Sequence, residues 1–228
     1  MHEHLPIVVT ISRQLASGGA YVGQRLARRL GIRYVDREIL KEAAAMLGVE
    51  DERTVEPFEE RVCGLWDRVA RSMAIGTPDA PFIPPPPPTF DEGDLLGAEK
   101  RIITNIAQRT SAVIVGRGAA HILKGRTGLI RVFVHAPQPH RIAEAQRVYA
   151  LDVAAAREMV ERSDRERARF VQSLTGRVWT DACLYDLAFD TSVFPADLVV
   201  DLLARVINER RNVPALPADA ASRRPAGQ

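Results

Sequence analysis

The segment IVVTISRQLASGGAYVGQRLARRLG, residues 7–31, decides the fold class of this chain. Its first five residues, 7–11, are all β-branched and mostly apolar, which predicts a short buried strand. A polar turn with two glycines follows at 12–19, and after it apolar residues recur at helical spacing up to Gly31. A buried strand that leads through a tight turn into a helix is the opening unit of a parallel α/β sheet.

The same alternation of strand and helix continues to about residue 210. The segments that predict strands are residues 7–11, 32–35, 112–116, 129–135 and 186–190. Helical patterns separate them, so we predict an α/β fold, a three-layer, five-stranded parallel sheet with helices on both faces. Ligands in such folds bind at the carboxyl ends of the strands. The segments at those ends are 12–19, 36–41, 116–118, 136–141 and 190–192.

The composition argues against several classes of function. Basic residues exceed acidic ones by only two, 31 against 29, so no nucleic-acid surface is predicted. No apolar run reaches about 18 residues and the amino terminus lacks a signal-peptide pattern, so we expect a cytoplasmic protein without a membrane span. The two cysteines and five histidines have no disulfide-framework or metal-binding spacing, so no metal site is predicted.

The chain is predicted to form one domain with two irregular appendages. Its 228 residues fit a single domain over 1–211, followed by a disordered, proline-rich tail over 212–228. Residues 50–110 form a helical and proline-rich insertion, and seven of the 15 prolines lie between 78 and 88. That run predicts a stiff surface loop, the alternative being a ligand for a proline-reading partner.

The turn at 12–19 has the geometry of a phosphate site. A glycine-containing loop that enters a helix directs backbone N–H groups and the positive end of the helix dipole at one point. Aligned with the phosphate-loop motif GxxxxGK[ST], Arg13 takes the first glycine, Gly18 the second, Gly19 the lysine and Ala20 the hydroxyl residue. The loop therefore keeps the turn but lacks the lysine charge, and a purely structural turn is the alternative.

Two further polar residues follow predicted strands. Arg117 comes directly after the strand at 112–116, where the guanidinium fork suits a phosphate or a carboxylate; an arginine that only reaches solvent is the alternative. Asp36 follows the strand at 32–35, where it can cap the next helix or contact an acceptor across the cleft.

The third basic feature is the segment ERSDRERAR, residues 161–169. Arg162, Arg165 and Arg169 are spaced by three and four residues, which places them on one face of a helix. Several arginines on one face can surround a polyphosphate during transfer. A solvated helix with salt bridges between its own residues is the alternative.

Four pieces in one order resemble the cytidylate kinase-like family, relatives of the nucleoside monophosphate kinases. They are ISRQLASGGAYVGQRLARRLG, YVDREIL, VIVGRGAAHIL, and the arginine cluster with TGRVWTDACLYDLAFDTS. The resemblance covers about 7–48 and 100–210. It implies a P-loop kinase fold with a mobile lid at 150–182, and the insertion then falls in the acceptor region.

The resemblance also implies roles for the donor and acceptor residues. The donor phosphates of ATP, with Mg²⁺, would bind at the loop formed by Arg13, Ser17, Gly18, Gly19 and Ala20. The acceptor, a nucleoside monophosphate such as CMP, would contact Asp36, Arg117, Arg162, Glu166 and Arg169. Arg117 resembles the arginine of a GRD motif whose aspartate is Gly118 here, and Glu166 replaces an aspartate that reads the base.

The same resemblance implies that Arg165 and Arg167 are lid arginines near the transferred phosphoryl group. The first hypothesis is therefore a kinase that transfers the γ-phosphoryl of ATP to a nucleoside monophosphate. A second is a degenerate kinase that binds a nucleotide as a regulatory protein, since the lysine position holds Gly19. A third is a kinase for another small phosphate-bearing acceptor. The sequence indicates no oligomeric state.

Overall fold

Five parallel strands form the centre of the fold in the computed structural model, which describes residues 6–36 and 92–212 together with Ile39, Glu42, Ala43 and Met46. The strands are β1 (Val8–Arg13), β2 (Arg33–Val35), β3 (Ala112–Val115), β4 (Leu129–His135) and β5 (Leu187–Asp190). Their order is β2-β3-β1-β4-β5 and every pair is parallel. The predicted five-stranded parallel sheet is confirmed, with each strand within one or two residues of its predicted bounds.

Helices cover both faces of the sheet. They are α1 (Gly19–Leu30), α2 (Glu92–Arg109), α3 (Ala119–Ile122), α4 (Gln138–Tyr149), α5 (Val153–Thr175) and α6 (Ala196–Asn212). Alternate side chains of β1 point to opposite faces, as the period of a strand requires. Val8 packs with Ile103 of α2 in one core, and Val9 packs with Leu26 of α1 and Leu203 of α6 in the other. The predicted three-layer arrangement is therefore confirmed.

The long helix α5 begins at a side-chain cap. A carboxylate oxygen of Asp152 accepts a hydrogen bond from the N–H of Ala155 at 2.8 Å, which satisfies one amide of the first turn. From this cap α5 runs on to Thr175, beyond the arginine segment at 161–169. Val160 on α5 and Ile142 on α4 pack against Leu15, which lies in the turn after β1. This contact fixes α5 over the carboxyl ends of the strands.

Three predictions fall outside the described residues and stay predictions. They are most of the helix after Asp36, the part of the insertion that holds the proline run, and the tail beyond residue 212. None of the described helices is both long and apolar enough to cross a membrane.

Candidate active site

The turn after β1 is held in shape by Ser17. The Ser17 hydroxyl lies 2.8 Å from the carbonyl oxygen of Gln14 and 3.0 Å from that of Val134, so its proton is used inside the protein. Its side chain is buried, and the Gln14 side chain accepts a hydrogen bond from the N–H of Ala136 at 3.2 Å. Ser17 therefore positions the backbone of the loop, and its own hydroxyl is not available to a phosphate.

Thr191, directly after β5, ties the same loop to two strands. Its hydroxyl lies 2.9 Å from the carbonyl oxygen of Ser17 and 3.1 Å from that of His135. The sequence marks 190–192 as a strand end but assigns Thr191 no role. The sequence does contain a signal for this role, because Thr191 is a hydroxyl residue directly after a predicted strand whose carboxyl end is expected to lie near the phosphate loop.

Replacing Thr191 by valine is expected to lower the free energy of unfolding by about 1 kcal/mol, because the variant leaves the Ser17 carbonyl without its donor. Urea denaturation measures the change. The matched control is Thr104→Val, since the Thr104 hydroxyl donates to the carbonyl of Lys100 in its own helix. Equal stabilities for the two variants would show that the Thr191 contact does not hold the loop.

Arg13, the last residue of β1, brings the phosphate loop to the end of β2. A guanidinium nitrogen of Arg13 lies 3.5 Å from a carboxylate oxygen of Asp36. The Tyr34 hydroxyl donates a hydrogen bond to the other oxygen of the same carboxylate at 3.0 Å. The structure thus joins a predicted donor-site residue and a predicted acceptor-site residue. Asp36 uses its carboxylate in these contacts.

Arg117 follows β3 in an unusual backbone segment. Gly116, Arg117 and Gly118 have φ values of 76°, 52° and 65°, and the value at Arg117 is strained because its residue carries a Cβ. Strain of this kind costs about 1–3 kcal/mol and is concentrated at functional sites. It directs the Arg117 side chain toward α2 and α5, where its guanidinium lies 5.9 Å from the centre of the Phe170 ring.

The anion that pairs with Arg117 comes from the protein itself. It is Glu99 of α2, whose side chain is 1% exposed and accepts a hydrogen bond from the guanidinium. Burial raises the pKa of the Glu99 carboxyl, although Arg117 acts in the opposite direction. The sequence assigns Glu99 no role, yet Glu99 lies on the same helical stripe as the buried residues Ile102, Ile103 and Ile106. A carboxylate on an apolar stripe is the signal of a buried ion pair.

The lid arginines divide between two sides of α5. Arg167 lies on the inner stripe of α5, four residues from Ser163 and four from Val171, which are both buried. One of its guanidinium nitrogens is buried as well.

The predicted common face of Arg162, Arg165 and Arg169 lies on the other side of α5. Arg165 and Arg169 are exposed and Arg162 is half-buried. The guanidinium of Arg165 lies 3.9 Å from Glu161 of its own helix, as the solvated alternative expects. Glu166, the predicted base-reading residue, is half-buried between the two sides.

A buried arginine fastens α5 to α4. Arg141 is 3% exposed and donates two hydrogen bonds to the carboxylate of Asp164, at 2.7 and 3.1 Å. Its Nε also donates to the carbonyl oxygen of Ala136 at 2.9 Å. A bidentate pair at low exposure fixes direction as well as distance. The inner side of α5 is therefore set at a defined angle to the strand ends.

The described side chains do not fit a protein-held magnesium ion at the phosphate loop. Ala20 stands where the motif places a hydroxyl ligand, and the Ser17 hydroxyl is already committed to two carbonyls. Within residues 6–36 and 92–212 and the four described residues between them, no group of three or more His, Cys, Asp or Glu residues is placed to hold a metal.

Two comparisons of the sequence show what this chain is similar to. The sequence model of the cytidylate kinase-like family matches residues 8–193. A cytidylate kinase from Methanopyrus kandleri is 22% identical over 207 residues, which cover 90% of this chain and 94% of that protein.

Solved structures show the fold. An uncharacterized protein from Eubacterium ventriosum has a TM-score of 0.62 at 20% identity, over 90% of this chain and 99% of the other. A gluconokinase from Sinorhizobium meliloti has a TM-score of 0.51 at 12% identity, over 92% and 96% of the two chains. A shikimate kinase from Acinetobacter baumannii in complex with shikimate has 0.50 at 13%, over 91% and 96%. The predicted P-loop kinase-like fold is confirmed.

Proposed function

Because the chain belongs to the cytidylate kinase-like family, we propose that it transfers the γ-phosphoryl group of ATP to the phosphate of a nucleoside monophosphate. The observation that carries this proposal is the convergence at one sheet edge. The loop before α1, the Arg13–Asp36 pair and the strained turn at Arg117 all follow neighbouring parallel strands. Such an edge is where α/β folds bind their ligands.

The reaction needs positioning and charge stabilisation rather than a protein nucleophile. An oxygen of the acceptor phosphate bonds to the γ-phosphorus of ATP, and the bond from that phosphorus to the β–γ bridging oxygen breaks. The electron pair of the broken bond stays with ADP. The acceptor phosphate reacts as its dianion, so the products are ADP and a nucleoside diphosphate without the loss of a proton to the protein.

The donor phosphates bind at the loop and the start of α1. The N–H of Val22 donates the first hydrogen bond within α1, to the carbonyl of Gly18 at 2.9 Å. The amides of Gly19, Ala20 and Tyr21 precede that bond, so they have no acceptor within the helix. These N–H groups and the positive helix end are suited to an anion. Gly18 leaves the approach open, since no atom lies within 4 Å of a Cβ placed on it.

The acceptor binds on the side of β2 and β3, where its phosphate meets Arg117. Arg162 and Arg169 lie on the side of α5 opposite Arg167, so their contacts with the acceptor rest on the family resemblance alone. Asp36 and Glu166 border the same side as acceptor-binding residues. Arg167 stabilises the charge that spreads over the transferring group from the inner stripe of α5, where one of its guanidinium nitrogens is buried. Arg165, exposed on the other side of the helix, makes a smaller contribution. CMP is the acceptor that the relative from Methanopyrus kandleri suggests by its name.

Two other functions have a specific observation in their favour. Gly19 and Ala20 replace the lysine and hydroxyl residue of the phosphate loop, which favours a degenerate kinase that binds a nucleotide for regulation. Gly118, at the position of the aspartate of the GRD motif, favours a kinase for another small phosphate-bearing acceptor.

A phosphotransfer assay separates the three functions. The full chain is incubated with ATP and Mg²⁺ and with each of CMP, dCMP, UMP, AMP and GMP, and ADP release is followed together with ATP binding by calorimetry. We expect ADP to form only when one of these acceptors is present. ATP binding without transfer to any of them, or to any phosphate-bearing compound outside this set, would contradict the kinase function and support the regulatory one. Transfer only to a phosphate-bearing compound outside this set would support the third.

A further inference from the structure

The side chain of Arg13 runs through a slot between two glycines that follow neighbouring strands. A Cβ placed on Gly19 would lie 2.4 Å from the Cβ of Arg13 and 3.0 Å from its Cγ. A Cβ placed on Gly116 would lie 1.9 Å from a terminal nitrogen of the Arg13 guanidinium. The guanidinium can shift to relieve the second contact, but the Cβ of Arg13 is fixed to the end of β1. Position 19 therefore has to be glycine as long as position 13 is arginine.

The slot changes the meaning of the missing lysine. In the phosphate-loop motif the residue at position 13 is glycine and the residue at position 19 is lysine. Here position 13 is arginine and position 19 is glycine. The two side chains would leave the backbone into the same space, since their Cβ atoms would be 2.4 Å apart. With this exchange the loop still has one cation, which comes from the end of β1 and not from the start of α1.

The Arg13 guanidinium lies between the proposed donor side of the site, at the loop before α1, and the proposed acceptor side, at the ends of β2 and β3. Its stem passes Gly19 at the start of α1, where the donor phosphates bind, and its head lies beside Gly116 after β3 and 3.5 Å from Asp36 after β2. The side chain of Arg13 is 22% exposed, so the head is shielded but can reach a ligand in the cleft. Asp36 holds it in place when no phosphate is present.

From these contacts we propose that Arg13 is the catalytic cation of this loop, binding nonbridging oxygens of the transferring phosphoryl group in place of the lysine, with Asp36 as its positioning residue. The proposal rests on the proposed kinase function and deepens it. Arg13 forms and breaks no covalent bond in the transfer. Its planar fork pairs with two oxygens at once and stabilises the charge that develops on them.

Single replacements at position 13 test the cation. Arg13→Gln keeps most of the stem and removes the charge, and we expect kcat to fall at least about 100-fold and ATP affinity about tenfold. Arg13→Lys is expected to recover only part of both, because an ammonium does not fork across two oxygens. The control is Arg25→Gln, an exposed arginine on α1 that pairs with Asp197 and is expected to leave both quantities unchanged. Wild-type kcat and ATP affinity in Arg13→Gln would overturn the proposal.

The exchange of positions 13 and 19 tests the slot. Gly19→Lys alone is expected to lower the melting temperature, because its Cβ collides with that of Arg13. The double variant Arg13→Gly with Gly19→Lys restores the motif. We expect its melting temperature to return to that of the wild type and its kcat to be at least tenfold higher than that of Arg13→Gly. The proposed competition between positions 13 and 19 would be overturned by a Gly19→Lys protein with the melting temperature of the wild type. It would also be overturned by a double variant whose melting temperature and kcat are no higher than those of the single variants.

The failure of this proposal is distinguishable from failure of the proposed function. A wild-type protein that neither binds ATP nor forms ADP overturns the kinase function and the role of Arg13 with it. A wild-type protein that binds ATP and transfers its phosphoryl group, together with an Arg13→Gln variant of equal kcat and equal ATP affinity, overturns the role of Arg13 alone. The melting temperatures of the position-19 variants need no nucleotide and test the slot in either case.

Discussion

Replacing Arg167 by alanine is expected to lower kcat about 100-fold or more, with a smaller change in KM. Arg167 lies on the inner stripe of α5, between the buried residues Ser163 and Val171, and not on the exposed face that carries Arg165. A cation that stabilises only the charge of the transition state affects kcat more than ground-state binding. Arg167→Lys should recover part of the loss, because an ammonium keeps the charge without the bidentate fork.

Two other arginines of α5 provide the comparison for this measurement. Arg165→Ala is expected to lower kcat only about tenfold, less than Arg167→Ala. The smaller effect is expected because the Arg165 side chain is 58% exposed and its guanidinium lies near Glu161 of the same helix. Arg157→Ala, on an exposed part of α5, should leave kcat unchanged. Steady-state kinetics with ATP and the preferred nucleoside monophosphate give all three values. If Arg167→Ala keeps kcat within threefold of the wild type, Arg167 has no role in the transfer.

Replacing Glu99 by leucine is expected to lower the free energy of unfolding by about 3 kcal/mol. Glu99 is 1% exposed and pairs with Arg117, whose side chain is 17% exposed. Removing one partner of a buried ion pair leaves the other charge in a site with little water. The double variant Glu99→Leu with Arg117→Met replaces both charges with apolar side chains of similar length, and it should recover most of the lost stability.

The double variant also separates the two roles of Arg117. If Arg117 contacts the acceptor phosphate, the double variant is stable but binds the nucleoside monophosphate weakly. Urea denaturation gives the stability and calorimetry gives the affinity. The control pair is Glu144 and Arg147, which are exposed and three residues apart on α4. Glu144→Ala is expected to change stability by less than about 0.5 kcal/mol. Equal losses in Glu99→Leu and Glu144→Ala would contradict the buried pair.

Much of the candidate site could be located from the sequence, but its pairings could not. The phosphate loop, Asp36 and Arg117 each follow a predicted strand. They are predicted site residues because ligands of parallel sheets bind at the carboxyl ends of the strands. The partners Glu99 and Thr191 were missed, and Arg162, Arg165 and Arg169 lie on a different side of α5 from Arg167. Their shared face was correctly predicted from helical spacing, but spacing does not say which face of a helix the rest of the protein covers.

Local patterns determine the strands, the order in which helices and strands alternate, and the cap at Asp152, because each depends on residues within one or two turns of the chain. The position of the Arg13 side chain between Gly19 and Gly116 depends on tertiary structure. So does the bond from Thr191 to Ser17, which are 174 residues apart in the chain. Such contacts exist only when β1, β3 and β5 have taken their places in the sheet. The lysine missing from position 19 looks like a lost function in the sequence, whereas the packed chain shows that the side chain of Arg13 occupies its space.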